Sequence, residues 1–133
     1  MIVRDFDDIV ANEKDRVVSD AKWTSVRMLL AGDGMGFSFH ITFLEEGSEH
    51  TFHYKNHFES VYCMKGKGRI TDLATGETHE IKPGTMYALN EHDKHTLVAD
   101  EELVMACCFN PPVSGDEVHQ EDGSYAAPVA ENA

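Results

Sequence analysis

The sequence is poor in cysteine, in positive charge and in long apolar runs, and each absence excludes a class of protein. It has 3 Cys, and Cys107 and Cys108 are adjacent, so that their side chains point to opposite faces of any strand. We therefore expect no disulfide framework, which fits a reducing compartment. The 11 Lys and Arg are outnumbered by 24 Asp and Glu, giving a net charge of -13. A field of that sign repels nucleic acid and anionic lipid.

The chain also lacks targeting and membrane signals. The first ten residues (MIVRDFDDIV) do not follow the basic-then-apolar pattern of a signal peptide. The longest uninterrupted apolar run, residues 103–109, is far shorter than a membrane-spanning helix. A length of 133 residues fits one domain. We expect a cytoplasmic, single-domain protein that binds neither nucleic acid nor membrane.

Short strand-like runs between turn signals fill most of the chain, and no segment repeats apolar residues with the helical period over three turns. The clearest run, residues 36–44 (GFSFHITFL), alternates a mostly aromatic face with a polar face. Residues 69–73 and 77–81 predict a hairpin, and residues 86–89 and 95–99 predict the next strand pair. About nine such strands predict an all-β sandwich or barrel, with a short helix within residues 5–14.

The composition changes after Asn110-Pro111-Pro112, where Gly, Asp, Glu, Ala and Pro dominate. Val118 is the only apolar side chain between residues 116 and 122, so we predict that it is the apolar anchor of this segment and that the segment is ordered only by what it contacts. Residues 126–133 are predicted to be a disordered tail.

The densest polar cluster is residues 47–66 (GSEHTFHYKNHFESVYCMKG), which contain three of the 8 His. For any one of these His, a surface position on an edge strand is the simplest interpretation. The spacing of Gly47, His53, Glu59 and Gly66, however, resembles the first motif of the cupin β-barrels, with Lys where that motif has its second His.

The second cupin motif resembles residues 83–87 (PGTMY), where Tyr87 stands in place of the ligand His. These departures resemble one branch of the cupins, the L-ectoine synthases. The matching runs are residues 34–40 (GMGFSFH), 56–63 (NHFESVYC), 83–89 (PGTMYAL), 92–95 (HDKH) and 108–112 (CFNPP). With residues 1–4 and 115–119, the resemblance covers all but the final eight or so residues. It implies an all-β, cupin-type antiparallel β-barrel, jelly-roll-like, in residues 1–112, followed by a flexible C-terminal tail.

The resemblance also implies an iron site, with Fe2+ held by Glu59, Tyr87 and His95. Two oxygen donors and one imidazole suit iron, and three protein ligands leave positions for substrate or water. The phenol of Tyr87 must lose a proton of pKa about 10 to bind, which a bound cation makes feasible. The alternatives are that Tyr87 is a buried aromatic residue and that His57 is the competing ligand.

A substrate pocket is implied at nine positions: Trp23, Arg27, His40, Thr42, Tyr54, Cys107, Phe109, Glu117 and His119. Strand parity places Cys107 and Phe109 on one face, and likewise His40 and Thr42. The guanidinium of Arg27 suits a substrate carboxylate, although an exposed strand Arg is the alternative. Among the catalytic candidates Glu117, Tyr54 and His119, the general base is predicted to be Glu117 or Tyr54.

The implied activity is that of a hydro-lyase that cyclises N-γ-acetyl-L-2,4-diaminobutyrate to the compatible solute ectoine, in a homodimer. If Glu117 and His119 contact that substrate, residues 113–125 form a lid over the barrel mouth. An iron-dependent cupin dioxygenase or isomerase and a non-catalytic small-molecule-binding cupin are the alternatives, since a fold alone does not determine function.

Overall fold

The computed structural model of the protein describes residues 1–115 and 117–127. One α-helix, α1, spans Phe6–Asn12 and is followed by a 3-10 helix at Lys14–Arg16; a second 3-10 helix spans Ala31–Asp33. The strands are β1 (Val17–Asp20), β2 (Trp23–Leu29), β3 (Ser38–Leu44), β4 (Glu49–Phe52), β5 (Phe58–Lys65), β6 (Gly68–Asp72), β7 (Thr78–Ile81), β8 (Met86–Ala88), β9 (His95–Ala99) and β10 (Leu103–Asn110). Neither α1 nor any other helix of the described residues is long and apolar enough to cross a membrane.

Helix α1 begins where the sequence predicts a short helix. The carboxylate of Asp5 caps it by accepting a 3.0 Å hydrogen bond from the Asp8 N–H. Asp7 and Asp8 in the first turn also favour the positive end of the helix dipole. Ile9 is fully buried and fixes the helix on the barrel.

The strands form two antiparallel sheets, in the order β1-β2-β3-β10-β5-β8 and β4-β9-β6-β7. The predicted hairpin at residues 69–81 is confirmed as β6 and β7. The predicted pairing of residues 86–89 with 95–99 is wrong, because β8 pairs with β5 whereas β9 pairs with β4 and β6. After β3 the chain crosses repeatedly between the two sheets, as in a jelly roll. Strand β1 was not predicted, since it lies at a sheet edge and is at most half-buried.

The alternation predicted for β3 is confirmed, and it is the polar face that points inward. Ser38, His40 and Thr42 are buried together with Leu44, while the aromatic residues between them are only partly covered. Phe43 on the outer face packs against Phe6 of α1 at 5.9 Å. Strand β3 therefore contributes a polar stripe to the barrel interior, beside the apolar core.

The segment after β10 lies against the barrel, but not through the residue that the sequence predicts. Val118 is 50% exposed, so the prediction that it anchors this segment is wrong. Val113 and Tyr125, at 0% and 1% exposure, are the buried apolar residues and belong to the main core. Of the predicted disordered tail, residues 126 and 127 are exposed, and residues 128–133 lie outside the described residues.

Candidate active site

The pairing register of the larger sheet places several predicted site residues in one row across its inner face. Arg27 on β2 pairs with His40 on β3, which pairs with Cys107 on β10. The row continues through Val61 on β5 to Tyr87 on β8. Since directly paired residues stand about 5 Å apart on the same face, side chains from separate strands meet in one interior.

Glu59 lies in the neighbouring row, where it pairs with Phe109, and its carbonyl accepts a 2.8 Å hydrogen bond from the Leu89 N–H. The side chain is 8% exposed, and none of the ion pairs formed within residues 1–115 and 117–127 includes it. Burial raises the pKa of this carboxyl to about 8. Glu59 is thus a buried acid that a bound cation would stabilise in its ionised form.

Tyr87 and His95 approach the same region, with ring centroids 6.3 Å apart. The Nδ1 of His95 lies 2.9 Å from the Asp93 carbonyl, to which it donates, so Nε2 keeps its lone pair for another partner. Burial lowers the pKa of His95, which keeps the imidazole neutral, and raises the pKa of the Tyr87 phenol well above its usual value. A neutral, oriented imidazole is the form that binds a metal.

Glu59, Tyr87 and His95 offer a carboxylate, a phenol oxygen and an imidazole nitrogen, which are donor types that suit a metal ion. In the part of the chain that the structure describes, no three side chains drawn from His, Cys, Asp and Glu are grouped to hold a metal. The predicted set contains only two residues of those types, with a phenol as the third donor. The competing ligand, His57, is 1% exposed, and neither ring nitrogen has a hydrogen-bond partner among the described residues.

An interior cavity of about 20 Å³ lies between these donors and the predicted substrate residues. Its walls are Trp23, Thr42, Leu44, Phe52, Tyr54, Glu59, Tyr87, Leu97, Met105, Cys107, Phe109 and Tyr125. Five of the nine predicted substrate residues are therefore on the cavity wall, next to two of the three predicted ligands. Burial raises the pKa of the Cys107 thiol well above its usual value, so this residue packs as a neutral thiol.

His40 is buried beside the cavity wall, and its ring is held on both sides. Its Nδ1 and Nε2 lie 3.2 Å and 3.0 Å from the hydroxyls of Ser25 and Ser38. The Ser38 hydroxyl also accepts a 3.0 Å hydrogen bond from the Val113 N–H. His40 therefore connects the inner face of the sheet with the first residue of the predicted lid, and burial lowers the pKa of its imidazole well below the usual value.

Arg27 is fully buried and binds the same segment through its guanidinium. It donates hydrogen bonds of 2.7 Å and 2.5 Å to the carbonyls of Gly115 and Glu117. The Glu117 carboxylate accepts hydrogen bonds of 2.7 Å and 2.8 Å from the N–H groups of Ser114 and Gly115. Burial opposes ionisation of Glu117, but these donors outweigh it and lower the pKa. The two guanidinium nitrogens of Arg27 that could bind a substrate carboxylate therefore both donate hydrogen bonds to backbone carbonyls of the protein.

His119 completes the aromatic part of the site. Its Nε2 lies 2.6 Å from the Tyr54 hydroxyl, and its ring packs on Trp23 with centroids 4.5 Å apart. Burial lowers the pKa of His119 to about 3 and raises that of Tyr54 well above its usual value. The pair is therefore neutral at pH 7, and one hydrogen bond joins the Tyr54 hydroxyl to the His119 Nε2.

The sequence did not predict five of the residues on the cavity wall: Leu44, Phe52, Leu97, Met105 and Tyr125. Tyr125 is the one among them that lies in the C-terminal segment. It is the only aromatic residue after Phe109, in a segment otherwise short of large apolar side chains. A lone tyrosine in a polar segment was a usable signal, because such a ring gains stability only by docking elsewhere on the fold.

Comparisons with known proteins agree with this geometry. The family model described as ectoine synthase matches residues 1–129. L-ectoine synthases of Hyphomonas neptunium and Saccharophagus degradans are 61% and 55% identical, over 98% and 94% of this chain and 96% and 93% of theirs. The crystal structure of ectoine synthase from P. lautus superposes with a TM-score of 0.85 at 44% identity, covering 100% of this chain and 96% of that one. A cupin 2 conserved barrel domain protein from Salinispora arenicola shares the fold, with a TM-score of 0.64 at 19% identity over 82% of this chain and 87% of that one. The chain belongs to the ectoine synthase family and has the all-β cupin fold.

Proposed function

We propose that this protein is an L-ectoine synthase, a hydro-lyase that closes the ring of ectoine from N-γ-acetyl-L-2,4-diaminobutyrate in the cytoplasm during osmotic stress. The observation that carries the proposal is the position of Glu59, a buried carboxyl without a cationic partner among the described residues, on a cavity shared with the predicted substrate residues. The test is NMR detection of ectoine from the acetylated diamino acid and iron-loaded protein under anaerobic conditions. Turnover that requires dioxygen would instead favour a dioxygenase.

We propose that Glu59, Tyr87 and His95 hold Fe2+ beside this cavity. When bound, the ion supplies Lewis acidity toward the acetyl oxygen of the substrate. The chain prepares for it by burying the acid, by orienting the His95 imidazole through Asp93, and by placing the phenol on the neighbouring strand. Deprotonation of Glu59 and Tyr87 accompanies binding, so that metal affinity rises with pH.

The walls of the cavity account for ring closure. Trp23, Tyr54 and Phe109 line the cavity with planar aromatic rings, and these rings can hold a flexible substrate bent so that its amine meets the acetyl carbon. A near-attack arrangement of this kind is worth about 7–11 kcal/mol. The same apolar walls keep bulk water from the reacting groups.

A proton must leave the substrate ammonium before it can attack, and the protonation states of the two predicted bases favour Glu117. Tyr54 is protonated at neutral pH because burial raises its pKa, so it cannot accept a proton. Glu117 is ionised because backbone donors lower its pKa. We assign proton acceptance to Glu117, and to Tyr54 and His119 the placing of the substrate by hydrogen bonding.

Residues 113–125 act as the lid in this proposal. The cavity of about 20 Å³ has room for about one water, whereas pockets for small ligands are roughly 300–1,000 Å³. The substrate therefore gains access when this segment moves away, which releases the Arg27 hydrogen bonds to Gly115 and Glu117. The released Arg27 guanidinium can then bind the substrate carboxylate, and calorimetry on Arg27→Lys should show weaker substrate binding.

Limited proteolysis within residues 117–125 should slow when ectoine is added.

A homodimer fits the outer face of the larger sheet. Phe58, Tyr62 and Met64 on β5 and Met86 on β8 are each about half exposed or more, and Tyr62 pairs with Met86. Clustered apolar exposure of this kind marks an interaction surface. Because the net charge of -13 opposes self-association, we expect apolar contacts at this patch to supply the attraction. Light scattering should find a dimer for the wild type and a monomer for Tyr62→Glu; a Tyr62→Glu dimer would contradict this.

A further inference from the structure

The Tyr125 ring occupies the centre of the aromatic cluster although it comes from the C-terminal segment. Its side chain is 1% exposed, and its centroid lies 5.1 Å from that of Tyr54 and 5.4 Å from that of Phe109. The guanidinium carbon of Arg27 lies 5.7 Å from the ring. Because Tyr125 also borders the cavity together with Glu59, it belongs to the same interior as the proposed metal site.

Tyr125 also packs against His119. The His119 ring lies between two aromatic rings, stacked on Phe52 at 4.4 Å and on Tyr125 at 4.8 Å. From this position its Nε2 reaches the Tyr54 hydroxyl. Without Tyr125 one face of the His119 imidazole would lose its packing partner, and the ring could move.

Backbone contacts on both sides of Tyr125 fix the approach of the segment. Gly123 has φ +80, and a side chain there would come within 2.5 Å of the Thr51 carbonyl, so the chain lies directly on β4. The Gly123 carbonyl accepts a 2.9 Å hydrogen bond from the His53 N–H. The amide of Asn56 donates a 2.9 Å hydrogen bond to the Tyr125 carbonyl. These backbone contacts therefore hold the Tyr125 ring at the cavity.

We propose that Tyr125 is a positioning residue of the active site: its ring is the roof of the substrate cavity and holds His119 against Tyr54. The proposal rests on the proposed function, because it assigns the roof to the ectoine-forming cavity. The ring borders the cavity beside Glu59 and Tyr87, and it contacts the side chains that would place the substrate. A roof so placed excludes water from the reacting groups once the segment docks.

The test compares Tyr125→Phe, Tyr125→Leu and Tyr125→Ala in the full-length, iron-loaded protein, with Val118→Ala on the exposed part of the same segment as the control. We expect Val118→Ala and Tyr125→Phe to stay close to the wild type, since the ring plane is the functional part. Tyr125→Ala should raise KM and lower kcat, with kcat/KM falling about 100-fold, the loss expected of a misplaced active-site group. Tyr125→Leu should fall between them.

Acrylamide quenching of the metal-free variants supplies a readout that does not depend on turnover. Trp23 is the only Trp of the chain, is 4% exposed and packs on His119, so its fluorescence reports access to the cavity. Quenching should increase in Tyr125→Ala and not in Tyr125→Phe. If quenching follows this pattern but the wild type makes no ectoine, the roof stands and the proposed function fails.

Two outcomes overturn the proposal. A lower KM with unchanged kcat in Tyr125→Ala would show that the ring is a plug that competes with substrate. Equal quenching and kinetics in Tyr125→Ala and the wild type would show that the ring has only a packing role. If Tyr125→Ala fails to fold, Tyr125→Leu decides by the same criteria, because it keeps most of the buried apolar volume.

Discussion

Replacing the buried acid Glu59 with Gln should make the metal-free protein more stable at pH 8. The folded chain raises the pKa of this carboxyl to about 8 from 4.5, so the folded state binds the proton more tightly than the unfolded state. Its contribution to stability is therefore fully present below pH 4.5 and is lost as the pH rises through about 8. Between pH 5 and pH 8 the loss is on the order of 3 kcal/mol. Gln has nearly the same shape and cannot ionise, so this slope disappears in Glu59→Gln.

Urea unfolding of metal-free protein between pH 5 and pH 8 measures the effect. The same substitution at the exposed Glu80 on β7 is the control, and the difference between wild type and variant removes the contributions of the buried His residues. Adding Fe2+ at pH 8 should restore stability to the wild type and to the Glu80 control, but much less to Glu59→Gln. Parallel pH profiles for wild type and Glu59→Gln would refute the claim that Glu59 is a buried acid awaiting a cation.

Three further substitutions separate the other roles. Tyr87→Phe keeps the ring but removes an oxygen donor, so iron affinity measured by metal titration should fall about 100-fold, with little change in the urea midpoint. Unchanged affinity would leave His57 as the better candidate for the third metal ligand. Arg27→Lys should weaken the docking of residues 113–125 by about 1–3 kcal/mol. The His53 amide, which the Gly123 carbonyl protects, should then exchange its hydrogen faster. Unchanged exchange would contradict the anchoring role of Arg27. Glu117→Gln should lower kcat about 100-fold or more at unchanged iron content, and a variant with wild-type kcat would return the general-base role to another residue.

The sequence predicts most strands and the composition of the site, but not which elements face each other. The alternation in residues 36–44 predicts β3 without showing that its polar face points inward. That choice depends on partners from distant strands, since the inward His40 is satisfied by Ser25 and Ser38. The pairing of β8 with β5 is equally invisible, because neighbours in sequence need not be neighbours in a jelly roll.

The ligand types and the pocket came from the resemblance to the family, and the structure adds how the C-terminal segment meets them. Local composition makes that segment look polar, and the apolar residue nearest its centre, Val118, is the one that stays exposed. The burial of Val113 and Tyr125 depends on tertiary contacts with β3, β4 and the loop before β5. A turn fixed by Gly123 and a hydrogen bond from Asn56 cannot be read from periodicity.

Glu59, Tyr87 and His95 are proposed to bind the metal that makes the shared cavity an ectoine-forming site. The most direct test is to reconstitute the wild type and the variants Glu59→Gln, Tyr87→Phe and His95→Ala anaerobically with Fe2+, and to measure bound iron and NMR-detected ectoine in the same samples. We expect the wild type to bind iron and form ectoine, and all three variants to lose iron and product together. Full iron occupancy and normal ectoine formation in any one variant would contradict the assignment.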